Sequence, residues 1–102
     1  MLSRVANSLY WLSRYLERAE NLARLVEVNR YESLDSIDPD PWRPLLYTTC
    51  TEKIFRESKE QDVGMFISFS EDNPDSIREC VAHARENARV VRDQISEEIW
   101  RD

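Results

Sequence analysis

From Ser3 onward, Val5, Leu9, Leu12, Leu16, Ala19, Ala23 and Val26 recur at alternating spacings of four and three, the period of one packed face of an α-helix. No glycine or proline interrupts the run before Pro39. With Ser3 as N-cap, the pattern predicts a first helix over about 3–30, a rod of roughly 40 Å at about 1.5 Å per residue. The segment SLDSIDPDPWRP then breaks the pattern with prolines and capping residues. Asp40 is a candidate N-cap and Pro41 a candidate first residue of a second helix over about 41–58, with Leu45, Leu46, Cys50, Ile54 and Phe55 on its apolar face. The run VGMFISFS, residues 63–70, suits a strand or a buried helix; with no second strand to pair with, it is read as a short helix over 63–69. In EDNPDSI, Asn73 and Pro74 open a last helix over about 74–100, with Ile77, Val81, Ala84, Ala88, Val91, Ile95 and Ile99 on one face.

The predicted architecture is all-α: an antiparallel helical bundle of three main helices plus a short connecting helix, forming a single domain over 1–102 and completed by self-association. The chain has 33% charged and 41% hydrophobic residues, with one glycine and four prolines, the composition of a folded helical protein.

Charge changes the picture next. Glu20 and Glu27 lie beside the apolar stripe of the first helix, and Arg85 and Arg92, also seven apart, lie beside the stripe of the last. If these helices run parallel in an up-down-up arrangement, Glu20 faces Arg85 and Glu27 faces Arg92. Three readings follow. The charges form an ordinary solvated rim; or they form a buried network with Asn21 and Asn87, favoured by arginine's planar pairing geometry; or Glu17, Glu20, Arg24, Arg85 and Arg89 line a groove that receives the amino and carboxyl ends of a peptide or amino acid. Tyr10, Trp11 and Leu25 lie away from the main stripe, so they are candidate interface residues, covered either by a partner or by the 66–69 segment.

Several classes are disfavoured. A net charge of −6 opposes a general nucleic-acid surface, which needs clustered cations. No apolar run approaches the ~20 residues of a membrane span, and the first dozen residues do not read as a signal peptide, so the expectation is a cytoplasmic chain with free Cys50 and Cys80. The one histidine, His83, precedes Glu86 in the reverse of the order that di-iron bundles use, so no metal or cofactor is expected. No phosphate-cradling loop can be built around Gly64 alone, and no self-sufficient catalytic motif is present.

MLSRVANSLYWLSRYLERAENLARLVEVN, residues 1–29, and NPDSIRECVAHARENARVVRDQISEEIW, residues 73–100, resemble the bacterial alpha-E family, named for its helical content and its Glu-Arg motif. That motif falls on Glu17 and Arg18, and two further elements fall on Asn73 to Ile77 and on Ala84 to Arg89, which includes Glu86 and Asn87. The resemblance implies an all-helical protein whose genes sit beside, or fuse to, ATP-grasp and transglutaminase-like proteins, and hence a context of peptide or amide-bond chemistry. It brings no catalytic residues. Members of that family are longer, so the chain reads as the first part of the domain, as a fragment, a split gene product or a reduced paralogue. The functional expectation is a non-catalytic helical interaction or accessory module, homo-oligomeric or docked on an ATP-grasp or transglutaminase-like partner. The alternative is a substrate-binding or catalytic subunit in peptide modification that uses the Glu and Arg cluster.

Overall fold

The computed structural model describes residues 2–101, and the side chains of residues 3–97 and 99; the predicted domain limits Met1 and Asp102 lie outside them. Two long helices and three short ones follow in the order α1 (Leu2–Leu34), α2 (Arg43–Thr48), α3 (Glu52–Glu57), α4 (Val63–Ser68) and α5 (Ile77–Arg101). The chain is all-α, and α1 packs along α5. The molecule measures 65 × 26 × 16 Å, so it is a long, thin hairpin with the short helices gathered against part of its length.

The packed face of α1 is displaced from the expected one. Its buried and half-buried positions are Val5, Ser8, Leu12, Tyr15, Ala19, Leu22, Val26, Asn29 and Ser33, an unbroken alternation of three and four that makes a heptad seam. Val5, Leu12, Ala19 and Val26 lie in it as expected, whereas Leu9, Leu16 and Ala23 sit one residue to the side and are exposed. Helix α5 repeats the displacement. Its seam runs Ile77, Cys80, Ala84, Asn87, Val91 and Gln94, leaving Val81, Ala88 and Ile95 exposed. Both helices therefore put small or polar residues at alternate seam positions and carry larger apolar residues on a flank.

The two long helices run antiparallel, which corrects the parallel arrangement expected above. Tyr15 stacks on His83 with ring centroids 4.8 Å apart, and Arg18, one turn further along α1, reaches back to Asp75 just before α5. As numbers rise along one helix they fall along the other.

The expected second helix is broken into α2 and α3. Cys50 has φ 59, the left-handed region that ends helices. Its N–H donates to the Tyr47 carbonyl at 3.2 Å, and the Thr51 N–H donates to the Leu46 carbonyl at 2.9 Å, the paired bonds of a Schellman termination. Thr51 then begins α3, its carbonyl accepting from the Phe55 N–H at 2.9 Å. Cys50 is thus an exposed turn residue, and the expected face of Leu45, Leu46, Cys50, Ile54 and Phe55 loses its middle. Helix boundaries shift for local reasons. Ser3 lies inside the first turn of α1, and Arg43, with Pro44 beside it, replaces Pro41 at the start of α2. The last helix begins at Ile77 because Ser76 caps it, its Oγ accepting from the Glu79 N–H at 3.2 Å, while Asn73 and Pro74 form the preceding turn. Helix α4 starts on Asp62, whose Oδ1 accepts from the Met65 N–H at 3.0 Å, and a Cβ at Gly64 would crowd that same carboxylate at 3.3 Å.

One cluster forms the core: Ala19, Leu22, Leu45, Leu46, Phe66, Ile67 and Cys80, with Tyr15, Val26, Trp42, Ile54, Phe55, Val63 and Ile77 packed around it. Phe66 and Leu46 are completely buried. This core occupies only the part of the hairpin covered by α2–α4.

Candidate functional site

A groove of about 400 Å³ opens where α1, the α2–α3 turn and the segment before α5 meet, lined by Arg14, Glu17, Arg18, Asn21, Leu22, Leu25, Thr48, Thr49, Thr51, Ile67, Asn73 and Asp75. Its volume lies in the range of ligand pockets, about 300–1,000 Å³.

The groove is built from below. Asn73 is buried; its Nδ2 donates to the Phe66 carbonyl at 3.3 Å and its Oδ1 accepts from the Asp75 N–H at 3.0 Å. The Asn73 side chain thus ties the turn before α5 to the core helix α4 and holds Asp75 at the groove edge. Across the opening, Arg18 Nη1 lies 3.4 Å from Asp75 Oδ1, and the Arg18 guanidinium sits 5.5 Å from the Tyr15 ring centroid. His83, stacked on the same ring, backs this arrangement from α5. Arg14 and Glu17 add a second pair at 3.7 Å. All four side chains are roughly half exposed, so each pair contributes little to stability, about 0–1 kcal/mol, and remains open to exchange with a ligand. Thr49 Oγ1 and Thr51 Oγ1 lie 2.8 Å apart on the opposite wall. Beneath the groove, burial pushes the Cys80 thiol up from its ordinary pKa, against the opposing pull of Arg18; it is a packing group with its Sγ toward the Asp75 carbonyl.

Of the residues singled out in the sequence, Glu17, Arg18, Asn21 and Leu25 meet in the groove. The others do not. Glu20 pairs with Arg24 on its own helix at 2.7 Å, and among the described residues Glu27 and Arg85 have no ion pair. Glu86 and Arg89 form a two-bonded pair on the exposed side of α5, which holds the Glu86 carboxyl below its ordinary pKa chiefly through the Arg89 hydrogen bond. Arg92 turns to the adjacent Asp93 at 3.3 Å, and Asn87 donates to the His83 carbonyl at 2.9 Å. The expected pairings Glu20–Arg85 and Glu27–Arg92 are therefore absent, as is a buried network through Asn21 and Asn87. Antiparallel packing is the reason: it sets Arg85 about two turns from the level of Glu20. Tyr10 is exposed, and Trp11, 40% exposed, packs on Tyr10 and Tyr15 without a cover from α4, whose Phe66 and Ile67 go to the core.

Sequence reasoning missed Arg14, the three threonines and Asp75. Asp75 lies inside the quoted Asn73–Ile77 element, and the run TTCT, residues 48–51, was the remaining signal: hydroxyl side chains on either side of a residue that turns the chain. Among the described residues no three His, Cys, Asp or Glu side chains gather as a metal-binding group, and no helix is long and apolar enough to cross a membrane.

Three curated proteins resemble the chain. It is 29% identical over 117 residues to the uncharacterized protein Mb2597 of Mycobacterium bovis, covering 95% of this chain and 13% of that protein. The uncharacterized proteins MT2643 and Rv2567 of Mycobacterium tuberculosis match at 29% and 28% identity over the same shares. The chain thus spans about an eighth of the length of these relatives. No solved structure matches. A family model described as a predicted alpha-helical domain with a conserved ER motif matches residues 1–102, the whole chain, and the chain belongs to this Alpha-E family.

Proposed function

We propose that the chain is a non-catalytic helical interaction module that docks a protein partner on the flank formed by the groove and the neighbouring Trp11. The observation that carries this reading is the convergence of Glu17 and Arg18 with Asp75 at an open groove, next to a Trp ring that is 40% exposed. Arginine and tryptophan are the residue types that dominate binding energy at protein interfaces, and half-exposed ion pairs can exchange partners at little cost. The partner class that the family resemblance implies is an ATP-grasp or transglutaminase-like protein of the same cytoplasm. Titration of the chain with a purified ATP-grasp protein is the test. Saturable binding is expected, weakened about 30-fold or more by Arg18→Ala, the scale of a central interface contact. Absence of saturable binding, or binding indifferent to Arg18→Ala, would sink the proposal.

A second reading has an observation of its own. The groove sets two cationic groups, Arg14 and Arg18, among two carboxylates, Glu17 and Asp75, the donor and acceptor set that a peptide terminus would satisfy. Amide shifts at Asn21, Thr49 and Asp75 on addition of a short peptide would favour it; shifts absent at millimolar peptide would remove it.

A further inference from the structure

Reversing a helix reverses the sense of its wheel, so in this antiparallel hairpin the flanking positions after each seam fall on one common side. That side is opposite the groove. It presents Leu9 and Leu16 from α1, 45% and 50% exposed, and Val81 and Ile95 from α5, 48% and 49% exposed, with Ala88 among them and Ala23 beyond Leu16. Tyr15 stacked on His83 sets the register: Leu16 comes level with the residues around Val81, and Leu9 with those around Ala88. The four large side chains therefore form one continuous strip. Soluble proteins seldom leave such a strip open.

Its borders differ in charge. One position outside the strip on α1 stand Ala6, Ser13 and, at its end, Glu20; the matching border of α5 is Arg78, Arg85 and Arg92. We infer that this face binds a second copy of the same chain, in a two-fold arrangement whose axis runs along the hairpin. Such an axis lays α1 of one copy over α5 of the other and preserves height along the helices. Glu20 then lies level with Arg78 of the second copy, and Arg85 and Arg92 lie level with the uncharged Ser13 and Ala6. A two-fold axis across the helices would instead lay α5 over α5 and set arginine on arginine. Size agrees as well: the 25-residue α5 is about 37 Å long, and two helices side by side are about 20 Å wide. The face is thus about 750 Å², close to the ~800 Å² per partner of a stable interface.

The inference deepens the reading of the chain as an interaction module and moves the expected self-association from the Trp11 side to the other flank. Sedimentation equilibrium of the full chain across the micromolar range tests it, with circular dichroism confirming that each variant keeps its helices. A species of twice 12.1 kDa is expected, dissociated at least tenfold more readily by Leu16→Glu and unaffected by Trp11→Glu or Arg14→Ala on the groove side. Arg78→Glu weakens the dimer, and adding Glu20→Arg restores it. A monomer at every concentration overturns the inference, as does a dimer that Trp11→Glu dissociates and Leu16→Glu does not. A monomer that forms a one-to-one complex with an ATP-grasp protein, lost on Leu16→Glu, assigns the face to that partner and overturns it equally. Because the partner-docking test reads Arg18→Ala, either proposal can fail while the other stands.

Discussion

The hairpin has a covered half and a bare half. Where residues 19–26 of α1 pass the start of α5, the three short helices add a third layer, and all but one of the buried apolar residues lie in a single cluster there. Beyond Arg18, α1 and α5 have only each other; among the described residues of that half, Ser8 and Ala84 alone are buried. The seam has the same heptad spacing in both halves. What differs is that a two-helix seam of small and polar residues removes little apolar area from water, and at about 25 cal/mol per Å² little area means little stability. The covered half supplies the folding free energy, and the bare half is surface held in place by it.

The largest expected effect breaks that comparison directly. Phe66 is fully buried, against Phe55 at 5.1 Å between ring centroids, so Phe66→Ala should cost about 3–5 kcal/mol through lost transfer energy and a cavity. Leu16→Ala in the bare half, measured by the same urea titration at a concentration where the chain is monomeric, should change stability by no more than about 0.5 kcal/mol. Comparable losses at the two sites would mean that the bare half has a core of its own.

The displaced seam explains what the sequence could and could not reveal. Helical content, the lengths of α1 and α5 and half of each seam were legible from periodicity alone. The other half was misread because Leu9, Leu16, Val81 and Ile95 are more apolar than the residues beside them that are actually packed: Ser8, Tyr15, Cys80 and Gln94. Hydrophobic pattern marks apolar faces, whether or not the chain itself covers them. Helix direction was not legible, since it depends on how many times the middle of the chain turns, and the break at Cys50 has no glycine to announce it. The groove was half legible: Glu17, Arg18 and Asn21 lie on one helix, but Asp75 and the threonines arrive from turns whose positions only the fold determines.

A smaller effect sharpens the account of the covered half. Cys50 adopts a left-handed conformation that costs a non-glycine residue about 1–2 kcal/mol, and this turn is what folds α2 and α3 into the third layer. Cys50→Gly should therefore raise stability by about 0.5–1 kcal/mol, less than the full strain because glycine gains freedom in the unfolded chain. Cys50→Val, β-branched at positive φ, should lower it. If both variants match the parent in denaturant midpoint, the turn is not strained and some other feature ends α2.

The smallest effect separates antiparallel from parallel packing. Glu20 and Arg24 are 2.7 Å apart, with side chains 68% and 65% exposed, an i, i+4 pair with the acid on the N-terminal side, the better orientation for an isolated helix. Their double-mutant cycle, made with alanine in a monomeric background, should give a coupling of about 0.3–0.5 kcal/mol. The cycle between Glu20 and Arg85 should be additive within about 0.3–0.5 kcal/mol, as for residues more than about 7–10 Å apart that share no partner. These two cycles also test the register behind the dimer face, since Glu20 can lie level with Arg78 of a second copy only if Arg85 is well removed along the hairpin. A coupling between Glu20 and Arg85 well above that between Glu20 and Arg24 would put the two long helices parallel. Glu20 and Arg85 would then pair within one chain, and Glu20 would need no second copy to meet an arginine.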